Sequence, residues 1–423
     1  MTRLLVLLLL LSGVSACSGS GSKGTVQIMA SWTGQEEARF LEVVAPFEAA
    51  ENIDVKYVGT RALSQVLQSE VQQGTPPDIA VLPSPGELAN YARNDHLIPL
   101  DSIVASASDE YSDQWLNLEK VRQKRYGVAV KADLKSAIWF NTKALPGPKP
   151  GTGEELLALT RTLADGGRTP WCMGMGATPD SGWPGTDWIE DVLLHQAGPD
   201  VYRQWAASRW PWTSPEVRQA FTTWTRLAGG DTVRGGPKSA LLTDFGDAGR
   251  SMFGPQPSCL LDHQASFITG VYEGYDTAPK AEQDFDFFPF PAFEGKPRSW
   301  VVSADLAAMF NDTPAARKLI NYLASAPAQQ IWPRNGGAYS ANRGVGPSVY
   351  GDAVSRKVAA TLTSDESLCF DASDLMPPKM RTAFYRAVLE HLDDPAKLDA
   401  LLQKLEIVRT GVPEEERLEF PCR

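Results

Sequence analysis

Short apolar runs with strand character alternate with helical segments near the start of the chain. Residues 26–30, 54–58 and 79–82 have the apolar or alternating pattern of strands, and residues 35–50 and 63–73 between them have that of helices. Strands that alternate with helices favour a mainly parallel sheet covered on both faces. The sequence therefore predicts an α/β fold.

The ends of these strands are candidate ligand-binding positions. In parallel α/β sheets, ligands bind outside the carboxyl ends of the strands. A Pro-rich turn at residues 83–86 follows the third strand directly, so Ser84 and Gly86 are candidate ligand contacts. Trp32 follows the first strand and is a candidate for the same reason.

The N-terminal segment is typical of an export and anchoring signal. The apolar run at residues 4–11 is too short to span a bilayer, and a Val-Ser-Ala-Cys sequence ending at Cys17 resembles a lipobox. We expect residues 1–16 to be a lipoprotein signal peptide and residues 17–24 to be the lipidated cysteine with its flexible tether. The alternative is an ordinary secretory signal that is cut near Ala16.

The composition excludes several classes of function. Asp plus Glu number 51 against 40 Lys plus Arg, and the net charge of −11 argues against a nucleic-acid partner, which needs a basic face. The four histidines have no metal-ligand spacing, and no G-x-x-x-x-G-K-[ST] phosphate loop occurs. We therefore expect neither a metal nor a cofactor. Any ATP hydrolysis that the protein depends on would take place in another subunit.

Cysteine usage fits an exported protein, since disulfides persist in oxidising compartments. Four cysteines remain when Cys17 is set aside, and four cysteines allow three pairings. We favour Cys172 with Cys259 and Cys369 with Cys422, each of which would stabilise the fold by about 4 kcal/mol in the chain-entropy model. The sequence leaves the other two pairings open.

Six motifs occur in a fixed order along the chain. They lie at residues 74–80, 126–136, 170–172, 182–191, 259–268 and 370–378. The first resembles the G-x-x-P-D-[IV] stretch of the extracellular solute-binding proteins of ABC sugar importers, a group that includes maltose-binding protein. The second resembles the first interdomain crossing of that family. The other four together resemble its alpha-glucoside-binding branch, whose members take up sugars such as maltose, sucrose or trehalose.

The resemblance implies a two-lobed periplasmic-binding-protein-like fold of the maltose-binding-protein type. Lobe 1 would hold residues 24–131 plus 288–302, and lobe 2 would hold residues 132–287 plus 303–423. Three crossings would form the hinge, and the lobes would close around a sugar in the cleft between them. The protein would be a monomeric, extracytoplasmic lipoprotein, held to the membrane by its lipid alone. It would deliver its ligand to permease subunits with a separate ATPase and would have no enzymatic activity.

A sugar offers C–H faces to aromatic rings and hydroxyls to charged and amide groups. The 12 tryptophans supply more flat apolar surface than packing alone needs. Trp183, Asp187 and Trp188 lie together where a loop leads into a helix, so we expect Trp183 to stack on the ligand and Asp187 to accept a hydroxyl. The alternative places Trp188 in the core and makes Asp187 a helix cap.

Other candidates lie at the crossings and in loops, and each has a structural alternative. Lys131 and Asp133 at the first crossing are also a potential hinge salt bridge, and Trp300 at a later crossing is also a potential core residue. His263 and Gln264 follow Cys259, which a disulfide would hold beside the cleft, and Gly337 and Tyr339 lie in a Gly-rich loop. The full set of predicted ligand contacts is Trp32, Ser84, Gly86, Lys131, Asp133, Trp183, Asp187, Trp188, His263, Gln264, Trp300, Gly337 and Tyr339.

Two other functions are compatible with parts of the sequence. A secreted glycosidase needs two carboxylates that flank the scissile bond. Asp187 and Glu190 lie on one local segment, which argues against that role. The second alternative keeps the fold but binds a polyol, another oligosaccharide or a peptide, because the sequence does not rank ligands.

Overall fold

The computed structural model describes residues 24–104, 109–364, 366–420 and 422. The predicted signal peptide, Cys17 and the tether up to residue 23 lie outside these residues. Within the described part of the chain, no helix has the length and apolar character needed to cross a membrane.

The β structure consists of two main sheets and one small hairpin. The strands are β1 (Gly24–Ala30), β2 (Ile53–Gly59), β3 (Ile79–Leu82), β4 (Lys120–Val121), β5 (Lys124–Arg125), β6 (Gly127–Leu134), β7 (Ala137–Asn141), β8 (Trp171–Cys172), β9 (Leu261–His263), β10 (Phe285–Pro289), β11 (Trp300–Met309) and β12 (Leu368–Phe370).

Helices cover both sheets. They are α1 (Gln35–Glu51), α2 (Leu63–Gln73), α3 (Pro85–Arg93), α4 (Asp113–Leu118), α5 (Gly153–Asp165), α6 (Trp183–Ala197), α7 (Pro199–Ala206), α8 (Pro215–Leu227), α9 (Gly236–Leu242), α10 (Phe245–Ala248), α11 (Ile268–Glu273), α12 (Pro314–Leu323), α13 (Ala326–Gln329), α14 (Ile331–Arg334), α15 (Ala353–Leu362), α16 (Ala372–Leu375), α17 (Pro378–Asp393) and α18 (Leu398–Thr410). Short 3-10 turns lie at Gly230–Thr232, Gly249–Met252, Pro347–Val349, Pro395–Lys397 and Glu414–Glu416.

The first sheet contains the N-terminal unit that the sequence predicts. Strands β2, β1 and β3 pair in parallel, and α1 buries Phe40, Val43, Val44 and Phe47, its residues at helical spacing. The prediction of a parallel sheet holds for these three strands and for the pair of β11 and β12. Strand β11 runs antiparallel to β3 and to β6. It begins its pairing with β3 at Leu82, the carboxyl end of that strand.

The second sheet has the order β10-β7-β9-β8 and forms the core of the other lobe. Its strands β10, β7 and β9 pair antiparallel, and β8 pairs in parallel with β9. Helix α6 packs on α7, α8 and α17 in this lobe. The two sheets with their own helices confirm the two-lobed α/β fold.

The chain passes between the lobes at three places. The first crossing is Lys135-Ser136, between β6 and β7, and the second lies at residues 290–299, between β10 and β11. The third region, residues 335–371, leads from α14, which packs on α1, to α16, which packs on α6. The backbone N–H of Lys135 donates to the carbonyl of Val301 at 2.8 Å, so the first two crossings are joined by hydrogen bonding.

The structure places the expected lobe boundaries differently, most of all the boundary after residue 302. Residues 306–309 of β11 pair with β3, and α12 packs on β1 with Leu319 and Ile320 in the same core as Val26. Residues 303–323, which the resemblance assigns to lobe 2, therefore lie on the sheet of lobe 1. The reason is that β11 stays hydrogen-bonded to β3 beyond residue 302 and carries the following helix onto the same sheet.

Both favoured cysteine pairs form disulfides in the structure. The Cα atoms of Cys172 and Cys259 are 5.3 Å apart, and those of Cys369 and Cys422 are 4.3 Å apart. The first bond ties β8 to the segment before β9. The second ties the C-terminal segment to β12, which pairs with the start of β11.

Candidate functional site

Strand β6 and the residue after it place three charged side chains on one face. Lys131, Asp133 and Lys135 occupy alternate positions, and alternate residues of a strand point to the same side. Strand β11 adds Asp305, which is paired with Lys131 in the register of the sheet. A row of charges therefore runs along the hinge between the lobes.

The ammonium of Lys131 lies between groups from both lobes. Its Nζ atom is 3.1 Å from the Glu36 carboxylate of α1. It lies 5.4 Å from the ring centroid of Phe267 in lobe 2 and 5.2 Å from that of Trp332 in lobe 1. Burial acts to lower the pKa of Lys131, but the neighbouring carboxylates, led by Glu36, outweigh it and raise that pKa. Lys131 therefore keeps its charge at the lobe interface.

The carboxyl groups around Lys131 differ in their ionisation. Burial raises the pKa of Asp305 to about 7 against the opposing charge of Lys131. Burial also acts to raise the pKa of Glu36, but Lys131 and the guanidinium of Arg61 outweigh it and hold that pKa below its ordinary value. Glu36 is therefore the carboxylate that balances the charge of Lys131.

A cavity of about 250 Å³ opens beside this cluster. Its lining from lobe 1 includes Glu36, Arg39, Arg61, Trp332 and Gly337, and its lining from lobe 2 includes Arg250, Phe267, Gly270, Glu273 and Tyr275. A Cβ atom added to Gly270 would lie 2.9 Å from the Cα of Gly337, so the backbones of the two lobes meet closely at this wall. Rings and charged groups together suit a compact polar ligand with apolar faces.

Lys135 is the centre of a second, buried cluster. Its Nζ atom lies 3.1 Å from the Asp187 carboxylate of α6 and 2.6 Å from the Asp371 carboxylate at the start of α16. Burial acts to lower the pKa of Lys135, but these carboxylates raise it well above its ordinary value. Burial raises the pKa of Asp187 to about 8. Burial also acts to raise the pKa of Asp371, but Lys135 holds it below its ordinary value.

The same cluster has the spacing of a cation site. Ligating oxygens of Asp187, Glu190 and Asp371 lie within 4.8 Å of one another. The ammonium of Lys135 already contacts two of these carboxylates, and the hydroxyl of Tyr202 donates to Glu190 at 3.1 Å. The protein's own donors therefore fill this cluster, and its role is to hold α6 and α16 to the first crossing.

Aromatic rings connect the two lysine clusters. The ring of Trp183 lies 5.0 Å from Phe245 and 6.0 Å from Phe267 between centroids. The Nζ of Lys135 lies 5.6 Å from the Trp183 ring. Because Phe267 also faces Lys131, these residues form a continuous row, Lys131–Phe267–Trp183–Lys135, which we call the cleft strip. Trp183 is half-buried, so part of its ring is accessible.

Two predicted residues outside the strip, Ser84 and Gly86, pack the lobes together. The hydroxyl of Ser84 donates to the carbonyl of Asp374 at 2.6 Å. A Cβ atom on Gly86 would lie 2.4 Å from the carbonyl oxygen of Met376. Both residues thus allow α3 of lobe 1 to approach α16 closely, and neither lines the cavity.

Two further predicted residues, Trp188 and His263, are buried behind the cleft. The Trp188 ring packs against Trp171 at 4.6 Å and against His263 at 4.4 Å between centroids. His263 Nε2 lies 2.7 Å from the carboxylate of Asp191, which also accepts a hydrogen bond from Ser136 at the first crossing. Both residues therefore occupy the structural positions that the sequence left as their alternatives.

Trp32 and Tyr339 are also buried. The indole N–H of Trp32 donates to Asp305 at 3.2 Å, and Tyr339 stacks on Tyr350 with centroids 5.8 Å apart. Trp32 is 3% exposed and Tyr339 is 1% exposed, so both support the cavity wall from behind.

Trp300 and Gln264 lie away from the cavity lining. Arg298 lies over the Trp300 ring, and the indole N–H of Trp300 donates to Glu366. Gln264 is buried, and its backbone carbonyl accepts from the indole of Trp139 at 2.9 Å. Their partners in the fold give both residues structural roles.

Several residues of the cleft were not among the sequence-based candidates. Lys135 had a signal, because it is the third charge in the alternating row that begins on β6. Phe267 lay in a motif but was not singled out. Glu36 and Trp332 carry no local signal, since the fold alone brings them to Lys131.

Comparison with known proteins identifies the family. A family model described as bacterial extracellular solute-binding protein matches residues 31–330. The chain belongs to this family. A solute-binding protein of this kind acts outside the cytoplasm as the substrate-binding component of an ABC transporter, together with permease and ATPase subunits.

Two curated relatives of this solute-binding protein match over most of their length. The osmoprotective compounds-binding protein GgtB of Synechocystis sp. is 34% identical over 92% of this chain and 95% of its own. The alpha-glucosides-binding periplasmic protein AglE of Rhizobium meliloti is 34% identical over 90% of this chain and 86% of its own.

Solved structures share the fold of this solute-binding protein. The bacterial solute receptor AcbH superposes with a TM-score of 0.79 at 19% identity and covers 92% of this chain and 99% of its own. Maltose-bound MalE3 of T. maritima superposes with a TM-score of 0.70 at 15% identity and covers 92% and 99%. At these identities the likeness shows the fold alone, which is that of the maltose-binding-protein type.

Proposed function

We propose that this solute-binding protein captures an alpha-glucoside of the maltose, sucrose or trehalose type and delivers it to its permease. The observation that carries this proposal is the cleft strip, in which the rings of Phe267 and Trp183 lie between the ammonium groups of Lys131 and Lys135 and Phe267 lines the interlobe cavity. AglE, a relative named for alpha-glucosides, supports the choice of ligand.

Each part of the strip has a defined task toward a sugar. Trp183 and Phe267 present ring faces to the C–H groups of a pyranose. Lys131 and Asp133 donate to and accept from hydroxyl groups, and Asp187 orients Lys135. Gly337 lets the ligand approach the backbone at the cavity wall. Residues buried behind the strip, such as Trp32 and Trp188, fix the positions of these groups.

Ligand capture would proceed by closure of the lobes at the three crossings. The cavity is lined from both lobes, so a ligand there gains its full set of contacts only when the lobes meet. A ligand shifts the balance between open and closed lobes by its differential affinity for the two states. The closed form would be the one that the permease recognises.

A second candidate ligand class is a polyol or another osmoprotective compound. GgtB, which is named for such compounds, is as similar in sequence as AglE and covers slightly more of the chain. A hydroxylated compound of smaller size would use the same charged groups and fewer stacking faces.

A titration panel tests both candidates. Calorimetry and thermal shift would be measured with maltose, sucrose, trehalose, ribitol and a neutral tetrapeptide. We expect saturable binding of at least one alpha-glucoside and no response to the peptide. A response to ribitol alone would favour the second candidate, and no response to any alpha-glucoside would overturn the first.

We propose that the bound sugar is released unchanged. The carboxyls of Asp187 and Glu190 lie on one helix, and both are engaged by groups of the protein, whereas a glycosidase needs two carboxyls that flank its substrate. Release of nitrophenol from a nitrophenyl alpha-glucoside by the purified protein would overturn this proposal.

We also propose that Cys17 carries a lipid and that the folded part is a monomer. A C17A variant would then move from the membrane fraction to the soluble fraction, while light scattering would give the mass of one chain. Retention of C17A in the membrane fraction would contradict lipidation of Cys17, and the mass of two chains would contradict a monomer.

A further inference from the structure

A buried ion pair outside the cleft strip joins the two lobes. Glu87 belongs to α3, which packs on β3 and β11 in lobe 1, and Arg381 belongs to α17, which packs on α6 and α9 in lobe 2. The Arg381 Nη2 atom lies 3.1 Å from the Glu87 carboxylate, and the side chains are 10% and 7% exposed. The pair is therefore formed where lobe meets lobe and is shielded from water.

The lobe 1 side of this pair is held rigidly. The hydroxyl of Ser84 accepts from the backbone N–H of Glu87 at 3.2 Å and donates to the carbonyl of Asp374. Gly86 lies against the backbone of α16. The first turn of α3 is thus seated on lobe 2, and Glu87 points from that turn to Arg381.

The two charges differ in the neighbours that they keep if the pair is broken. Burial acts to lower the pKa of Arg381, but Glu87, Asp374 and Asp180 are among the groups that raise it. The second carboxylate oxygen of Glu87 is buried with no hydrogen-bond partner among the described residues. Loss of Arg381 would therefore leave Glu87 without a partner, whereas loss of Glu87 would leave Arg381 beside the carboxyl groups of Asp374 and Asp180.

A further contact crosses the lobes near Arg381. The side-chain amide of Gln65 on α2 donates to Asp180 of lobe 2 at 3.3 Å. Opening of the lobes would separate both contacts at once and expose the Glu87–Arg381 pair to water.

We propose that Glu87 and Arg381 are positioning residues that set the balance between open and closed lobes and thereby the affinity for ligand. This inference rests on the proposed capture of a ligand in the cleft, which neither residue lines. A buried charge that has lost its partner disfavours the closed state, while in the open state water solvates it. The apparent dissociation constant rises in proportion as the binding-competent population falls.

Substitutions at the two positions test the inference by calorimetry with the sugar that the panel identifies. We expect R381M to raise the Kd by about tenfold or more, and E87Q to raise it by a smaller factor. The Kd of the double variant E87Q/R381M should rise by less than the product of the two single-variant factors, because the double variant leaves no buried charge without a partner. R381K should restore part of the affinity.

A matched pair within one lobe serves as the control. Glu390 and Lys404 lie 3.4 Å apart in lobe 2, and their side chains are 49% and 68% exposed. We expect E390Q to leave the Kd unchanged. Thermal unfolding of every variant checks that a rise in Kd is measured on folded protein.

Small-angle scattering without sugar supplies a readout that does not depend on ligand. We expect a larger radius of gyration for E87Q and R381M than for the unaltered protein. Values of Kd within twofold of the unaltered protein would overturn the inference. If no sugar in the panel binds, the proposed function fails. The positioning role is then tested by scattering alone, and equal radii of gyration for E87Q, R381M and the unaltered protein would overturn it.

Discussion

The ammonium of Lys135 lies 2.6 Å from the carboxylate of Asp371, so a residue of the first crossing is bound to the start of α16. Asp187 of α6 completes the contact at 3.1 Å. A single side chain therefore holds together three segments that meet at the hinge. The charges are buried, so they depend on one another rather than on water.

Replacement of Lys135 by methionine is predicted to destabilise the fold. The K135M variant would leave the carboxylates of Asp187 and Asp371 without their shared cation. Removal of one partner from a buried ion pair costs about 3–5 kcal/mol. Chemical unfolding, monitored by circular dichroism, would measure the loss.

An exposed lysine provides the control for this prediction. Lys143 pairs with Asp284, and its side chain is 72% exposed. We expect K143M to change the unfolding free energy by less than about 1 kcal/mol. Equal losses for K135M and K143M would contradict the assigned role of the buried cluster.

Removal of the Trp183 ring is predicted to weaken ligand binding more than it weakens the fold. Trp183 is half-buried and lies in the cleft strip between Phe267 and Lys135. We expect W183A to raise the Kd by about tenfold or more, because ring stacking is lost. Trp210 is also half-buried in lobe 2, and its indole donates to Ser214 at 3.1 Å. An equal effect of W210A on the Kd would argue against stacking by Trp183.

The two disulfides are predicted to stabilise the chain by similar amounts. Cys172 and Cys259 are separated by 87 residues, and Cys369 and Cys422 by 53. The chain-entropy model depends only logarithmically on this separation, so each double Cys→Ser variant should lose about 4 kcal/mol. Unfolding in denaturant measures each loss. A negligible loss for either variant would show that the unfolded chain is already constrained there.

Local periodicity made most of the first lobe predictable from the sequence. The predicted strand at residues 79–82 and the predicted helix at residues 63–73 coincide with β3 and α2. Helix α2 packs through one face and β3 is a short apolar run that is buried throughout, so the local pattern of apolar residues reports directly on both structures. The cysteine pairing was predictable only as a favoured choice among three.

Contacts over long sequence distances were not predictable in the same way. Glu36 reaches Lys131 across 95 residues, and no local pattern links them. Helix α6 is buried on nearly every side together with its charged residues, so no single apolar stripe distinguishes its core residues. The sequence therefore left open whether Trp188 is a ligand contact or a core residue, and the structure places it in the core.

A pH-dependent stability is predicted from Asp262, which lies on β9 and is 1% exposed. Burial raises its pKa to about 7, although the hydroxyl of Tyr272 donates to it at 2.9 Å and opposes that shift. The pKa of Asp in an unfolded chain is about 3.9, so the folded protein binds the additional proton between these values. Stability from this group is therefore complete below about pH 4 and is lost as the pH rises through about 7.

Two variants test the sign of this dependence. When the pH rises from 5 to 8, the unaltered protein should lose about 3 kcal/mol more unfolding free energy than D262N, because D262N lacks the titrating group. Y272F removes the hydroxyl that opposes the raised pKa of Asp262, so it should lose stability more steeply over the same interval. Denaturant unfolding at the two pH values measures both differences. Parallel pH profiles for D262N and the unaltered protein would show that the pKa of Asp262 is the same in the folded and unfolded states, because only a group whose pKa differs between these states links stability to pH.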